Sequence, residues 1–301
     1  MPNRIDWGFG AFHISNFFRT YYEGLIRFRN YGASLLASRP FDKFTRIELG
    51  LTWFNVNMEY LEIPLPSETI STILPSAALI HDQVEWGMTG PKQGTRASFS
   101  VLASPKYTSN GLEFTTLKGD YRKYIDLFGD YSLAFRLYAG TSLGHNPQRF
   151  FLGGVQNWLN REFKGGLRIN NIEDVYFSEF VTPLRGAAYY ERDGTSFGLF
   201  NFEFRFPLIP LIQLGIPPIR LGNIQGVFFT DIGSAWDHLN EWKGTKKDAN
   251  GNRVFDDILA GYGVGARIFF LGFLVKFDVA WRYDISSVSK PIYYWSFGAD
   301  L

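Results

Sequence analysis

Residues 200–206 constrain the fold more than any other stretch, because the type of side chain changes at every position. The run reads Phe-Asn-Phe-Glu-Phe-Arg-Phe. Successive side chains of a β-strand point to opposite faces, so one face would carry only phenylalanines and the other Asn201, Glu203 and Arg205. The run therefore predicts a strand with one apolar and one polar face.

Other stretches repeat this alternation. Residues 46–53 and 273–283 place an apolar residue at every second position, with charged residues such as Glu48, Lys276 and Asp278 among the others. A soluble sandwich could hold one such strand, but many would bury charges in a dry core, which is costly unless each charge is paired. With the apolar faces in lipid and the polar faces around a wet lumen, the cost disappears. The pattern predicts an all-β fold, a transmembrane antiparallel β-barrel.

The composition favours the same class. Aromatic residues make up 18% of the chain and charged residues 20%, and no window offers about 18 consecutive apolar residues, so no transmembrane helix is predicted. The absence of cysteine excludes disulfides and thiolate metal sites. A net charge of +1 gives no electrostatic reason to expect nucleic acid. The amino terminus lacks the basic and apolar segments of an export signal, so we interpret the sequence as a mature form or a fragment.

Turn residues divide the chain into about twelve predicted strands within a single domain over residues 1–301. An even number of strands suits a closed barrel with both termini on the periplasmic side. The predicted strands are Asp6 to Phe18, Leu25 to Ser38, Phe44 to Met58, Ser76 to Met88, Thr95 to Ala103, Leu112 to Asp126, Tyr131 to Ser142, Ser196 to Phe206, Gln225 to Trp236, Leu259 to Phe270, Phe273 to Tyr283 and Ile292 to Leu301.

One connection, at about residues 143–195, is far longer than the others. Its roughly fifty residues are too many for a passive loop in a compact domain. It opens with the aromatic run at residues 149–154 and closes with Pro-Leu-Arg-Gly at residues 183–186. We therefore expect a folded loop inside the lumen.

Four motifs resemble the carboxy-terminal barrel of the bacterial surface antigen superfamily. They are Phe-Phe-Leu-Gly-Gly at 150–154, Leu-Arg-Gly at 184–186, Asn-Phe-Glu-Phe-Arg-Phe-Pro-Leu at 201–208 and Phe-Thr-Asp-Ile-Gly-Ser-Ala-Trp at 229–236. That superfamily includes the outer-membrane protein assembly factor and the two-partner secretion transporters. The resemblance implies sixteen strands, so four amino-terminal strands would be missing, or the chain represents a shorter branch.

The resemblance also implies roles for four residues. Arg185 and Gly186 would form the tip of the long loop, and Glu203 and Asp231 would be the inner-wall carboxylates that hold it. A guanidinium presents a planar fork of donors and can bind two carboxylates at once. The alternative is an exposed Arg185, with the carboxylates paired to Arg205 or Arg267. The tip departs from the family pattern at Ala187, where an aromatic residue is usual, so this packing is either missing or supplied by Tyr189 or Tyr190.

The last strand predicts a seam with the first. Tyr293, Trp295, Phe297, Ala299 and Leu301 share one face and resemble the terminal signal of outer-membrane barrels, although that signal usually ends in Phe. Closure would pair this strand, at Trp295 and Phe297, with the first strand, where Gly8 and Gly10 weaken pairing. A weak seam is what a lateral gate requires.

No catalytic, cofactor or metal site is predicted. The four histidines show no metal-ligand spacing, and the neighbouring Ser15 and His13 have no evident third group for a lipase-like dyad. The sequence therefore predicts a non-enzymatic barrel of the bacterial outer membrane that inserts or translocates proteins. Its expected partners are the lipid bilayer, unfolded client proteins, and a periplasmic amino-terminal domain or accessory subunits. The alternative is a passive pore or receptor.

Overall fold

The computed structural model describes residues 4–20, 24–162, 176–213, 215 and 220–298, and eighteen strands lie within this part of the chain. Most belong to one large antiparallel sheet. Its strands are β1 Asp6–Thr20, β2 Gly24–Pro40, β3 Thr45–Tyr60, β4 Glu68–Trp86, β5 Pro91–Ser104, β6 Phe114–Phe128, β7 Tyr131–Gly144, β11 Ser196–Gln213, β12 Arg220–Trp236, β15 Ile258–Phe270, β16 Phe273–Asp284, β17 Ser287–Val288 and β18 Ile292–Phe297. The smaller strands are β8 Phe150–Leu152, β9 Glu179–Val181, β10 Arg192–Gly194, β13 Thr245–Lys247 and β14 Arg253–Phe255.

The large sheet is a meander in which long strands that follow one another in sequence pair side by side. Each of the twelve predicted strands is present, and the all-β barrel fold is confirmed. The long loop enters between β7 and β11, which pair directly with each other. The predicted tail positions Ala299 and Leu301 lie outside the described residues.

Two strand boundaries were wrong because of prolines. β4 begins at Glu68 rather than Ser76 and contains Pro75, and β11 runs past Pro207 to Gln213. Residues 68–75 pair with β3 alone, and beyond Arg205 the strand β11 pairs with β12 alone. A proline cannot donate to a neighbouring strand. These prolines are tolerated because each segment has only one partner strand.

The two faces of the sheet differ as the alternation predicts. On β11, Asn201, Glu203 and Arg205 are buried on the inner face. The outer face leaves large apolar side chains uncovered, among them Phe9 at 82% exposure and Leu137 at 57%. Such a wide apolar exterior suits contact with lipid acyl chains. No helix among the described residues is long and apolar enough to cross a membrane.

The interior is filled in part by the long loop. Its strands β8, β9 and β10 form a small sheet of their own, and Phe150 and Leu184 pack in a buried cluster with Phe197 of β11. A second cluster places Phe177 of the loop against inward-facing apolar residues of β2, β3 and β4, such as Val56. The inner face is therefore polar around some strands and apolar where the loop covers it.

The first and last strands each have one partner within the described residues. β1 pairs with β2, and β18 pairs with β16. In the described part of the chain no ladder joins β1 to β18. The outer edge of β18 instead meets the long loop through a bridge between Trp158 and Ser296.

Candidate functional site

Arg185 lies at the centre of a buried ion network between the loop and the inner wall. Its side chain is 2% exposed. Nε donates to Asp231 Oδ2 at 2.6 Å, Nη2 donates to Asp231 Oδ1 at 2.9 Å, and Nη1 donates to Glu203 Oε1 at 2.8 Å. The guanidinium also stacks 3.6 Å above the ring centroid of Phe229. The structure thus brings together the arginine and both carboxylates singled out from the sequence.

The wall carboxylates are held by further bonds that fix the loop backbone. Asp231 Oδ2 accepts the backbone N–H of Arg185 at 2.9 Å. Asn201 Nδ2 donates to Asp231 Oδ1 at 2.7 Å and to the carbonyl of Pro183 at 2.8 Å. Charge-assisted bonds are stronger than bonds between neutral groups, and a low local dielectric strengthens them further. The loop tip is therefore positioned by its backbone as well as by its charge.

The alternative partners of Glu203 are also part of the network. Arg205 Nε donates to Glu203 Oε2 at 2.9 Å, and Arg267 Nη2 lies 3.7 Å from Glu203 Oε1. Arg267 donates to Asp278 at 2.6 Å, and Asp278 lies 3.8 Å from Arg185. Burying these charges would be costly in isolation, but each has an opposite charge beside it. The exposed Arg185 of the alternative interpretation is not found, but its arginine partners Arg205 and Arg267 join the same network. Asp278, which sequence reasoning did not select, also belongs to it.

Gly186 and Gly261 allow the loop tip to touch the wall. Gly186 has φ +89°, which favours glycine. A Cβ atom added to Gly261 would lie 1.9 Å from the carbonyl oxygen of Arg185. The run Gly-Tyr-Gly-Val-Gly at 261–265 therefore serves close approach at this position, as glycines in a strand often do.

Tyr294 of the last strand also binds the backbone of the loop tip, and sequence reasoning missed this residue. Its hydroxyl accepts the N–H of Gly186 at 2.8 Å and donates to the carbonyl of Ala187 at 2.8 Å. Ala187 is buried in the cluster around Phe150. Tyr189 and Tyr190, the expected substitutes, pack against each other in a tilted arrangement. The aromatic group beside the tip backbone thus comes from β18. In the sequence, only the inward position of Tyr294 in the alternation of that strand pointed to this role.

The seam residues of β1 and β18 do not pair with each other among the described residues. Gly8 and Gly10 face Leu36 and Ser34 across the β1–β2 ladder. Trp295 and Phe297 expose 48% and 37% of their surface on the outer face of β18. Their backbone groups bond to loop residues 157–160, a segment that sequence reasoning did not single out.

Comparisons with known proteins agree with this fold. The Omp85 superfamily domain matches residues 26–299. A comparison with curated protein sequences returned no match.

Two solved structures share the fold of the chain. BamA from Haemophilus ducreyi lacking POTRA domains 1-3 matches 98% of this chain with a TM-score of 0.59 and 14% identity. CdiB from Acinetobacter baumannii matches 97% with a TM-score of 0.54 and 13% identity. The chain spans 59% and 47% of the lengths of those two chains.

The domain match covers most of the chain and confirms the resemblance seen in its motifs. The chain belongs to the Omp85 superfamily and is a β-barrel protein of the bacterial outer membrane.

Proposed function

We propose that this protein is a non-enzymatic component that inserts or translocates proteins at the outer membrane, through its interior or through a lateral seam between β1 and β18. The observation that carries the proposal is the loop tip fixed to the inner wall by Arg185, Glu203 and Asp231. A loop held by a buried network moves little by itself. The sheet edges at β1 and β18 each have one partner strand among the described residues, and they are then the places where the sheet would open.

The proposed partners follow from this role. The outer face contacts the lipid bilayer, and the edges present backbone groups to an unfolded client protein. Accessory subunits or a periplasmic domain would deliver the client. Family membership supports this set of partners.

The alternative is a passive pore or receptor, and one cavity favours it. A polar space of about 340 Å³ lies between the loop and the wall, lined by Arg122, Arg136 and Arg161 among others. Such a space would admit small polar solutes. The two functions make different demands on the sheet edges. Insertion of a protein requires the edges of β1 and β18 to open, whereas passage of a solute requires only the interior.

Cross-linking across the seam tests the proposal. Because the chain has no native cysteine, only the introduced cysteines can react with the linker. The Gly10→Cys/Phe297→Cys variant would be reconstituted in liposomes and treated with a thiol-specific linker that joins the two strands. A small outer-membrane barrel diluted from urea serves as the client, and its folding rate is measured together with ion conductance. The two single-cysteine variants, treated identically, are the controls.

Under the proposal, the untreated protein accelerates client folding over empty liposomes and the linker abolishes the acceleration. Acceleration that persists with the linker in place would reject opening of the β1–β18 seam as the route of insertion. Equal folding rates with and without the protein, together with ion conductance above that of empty liposomes, would reject the insertion role and support the passive pore.

A further inference from the structure

The outer edge of the last strand is covered by a short piece of the long loop, residues 157–160, here called the edge segment. The N–H of Leu159 donates to the carbonyl of Trp295 at 2.8 Å. Asn160 Nδ2 donates to the carbonyl of Tyr293 at 2.8 Å, and Asn160 Oδ1 accepts the N–H of Trp295 at 3.0 Å. Asn157 Nδ2 donates to the carbonyl of Phe297 at 3.2 Å. These are the groups that an additional β-strand would use.

Asparagine side chains replace backbone groups in most of these contacts. The amide of an asparagine carries the same donor and acceptor as a peptide group. Asn157 has φ +53°, so the segment turns instead of continuing as a strand. Trp158 alone forms a regular bridge, opposite Ser296. The edge segment therefore imitates a paired strand without being one.

The attachment is shallow except at one side chain. Trp158 is 1% exposed and packs with its ring centroid 4.4 Å from that of Tyr294. Leu159 is 63% exposed, and Asn157 and Asn160 are also exposed. The bonds to β18 join neutral groups, unlike the charged bonds at the loop tip. Neutral, solvent-accessible bonds contribute little net stability because water competes for both partners.

We propose that the edge segment is a displaceable cover of the outer edge of β18, which holds the backbone groups that an incoming extended strand would need for pairing there. An incoming strand would form regular antiparallel backbone pairs with residues 293–297 where the segment offers mainly side-chain substitutes. Until then the segment covers an edge that would otherwise pair with any exposed strand. The identity of the outside strand as a client rests on the proposed function. The occupancy of the edge does not.

Hydrogen exchange tests the occupancy. Asn160→Ala removes the acceptor of the Trp295 N–H, so we expect that amide to exchange about tenfold faster, which corresponds to one hydrogen bond. The amides of Tyr294 and Ser296 face β16 and should keep their rates. Asn250→Ala, in an exposed turn, is the matched control. An unchanged Trp295 amide would overturn the assigned contact.

A peptide in trans tests whether the edge accepts a strand, without any client protein. The probe is a synthetic peptide of residues 154–162 with Leu159→Cys, and the receptor carries Trp295→Cys, the position opposite Leu159 in the register of the bridge. We expect disulfide trapping to be at least severalfold faster when the receptor also carries Asn157→Ala and Asn160→Ala. A receptor with Leu137→Cys, on the outer face of β7, measures random collision.

Trapping at the collision rate in the double alanine receptor would overturn strand pairing at this edge. Equally fast trapping with both asparagines present would overturn the competition by the edge segment. Because the probe is part of this chain, both results are independent of whether the protein inserts clients.

Discussion

The long loop is attached to the sheet in two ways that differ in nearly every physical respect. At the tip, Arg185 is buried and forms charged bonds to Asp231 and Glu203. At the edge segment, Asn157 and Asn160 are exposed and form neutral bonds to β18. Buried charged bonds are costly to break because a charge is left without a partner, whereas exposed neutral bonds are readily exchanged for bonds to water.

We propose that these two parts of one loop have different roles: the tip fixes where the loop lies, and the edge segment covers β18 in a way that allows release. Tyr294 and Trp158 connect the two regions, because Tyr294 bonds to the tip backbone and packs against Trp158. Four substitutions test this difference between the two attachments.

The largest effect is expected for Arg185→Ala. The substitution leaves Asp231 buried with only Asn201 as a side-chain partner, and loss of one partner of a buried ion pair costs about 3–5 kcal/mol. Urea unfolding in detergent micelles would measure the free energy, and limited proteolysis would detect release of the loop. Arg253→Ala, at an exposed hairpin, should change neither quantity. Equal protease resistance of the loop in the Arg185 and Arg253 variants would contradict the anchor.

A smaller effect is expected for Gly261→Ala. The added methyl group would clash with the carbonyl oxygen of Arg185 and push the tip away from β15, at a cost of about 1–3 kcal/mol. Gly198→Ala is the control, since nothing lies within 4 Å of its added Cβ. Matching unfolding midpoints for the two alanine variants would show that the tip does not need this contact.

Tyr294→Phe should cost about 1–2 kcal/mol, because it leaves the N–H of Gly186 and the carbonyl of Ala187 buried without the hydroxyl. Ring packing against Trp158 is kept, so the edge segment should stay in place. Tyr293→Phe, on the outer face of the same strand, provides the reference. Thermal unfolding monitored by electrophoretic mobility would compare them. Equal stability of the Tyr294→Phe and Tyr293→Phe variants would show that the last strand does not help to hold the loop tip.

Asn157→Ala should have the smallest effect, below about 1 kcal/mol, since water can replace the lost bond to Phe297. The same urea titration measures it beside Asn250→Ala. A destabilisation as large as that of Arg185→Ala would erase the distinction between the two attachments.

The sequence predicted the strands and the inward position of Glu203 because alternation depends only on neighbouring residues. The loop tip was predicted through the resemblance, since the partner of Arg185 depends on how distant strands come together. Alternation placed Asp278 and Tyr294 on polar or inward positions without indicating what they would touch.

The rest was hidden for specific reasons. Pro75 and Pro207 made strand ends look like breaks, because whether a strand has one partner or two cannot be read from its own residues. The edge segment has no periodic pattern, and its asparagines resemble ordinary turn residues. Its contacts with β18 can be recognised only in the three-dimensional structure.

The sequence distance spanned by each attachment has a consequence for the order of assembly. Arg185 is separated from Glu203 by 18 residues and from Asp231 by 46, whereas Asn160 and Trp295 are 135 residues apart. Closing a short stretch of chain loses less entropy than closing a long one. We expect the tip to dock once β11 and β12 have formed. The edge segment is then already held near the place where β18 pairs with β16.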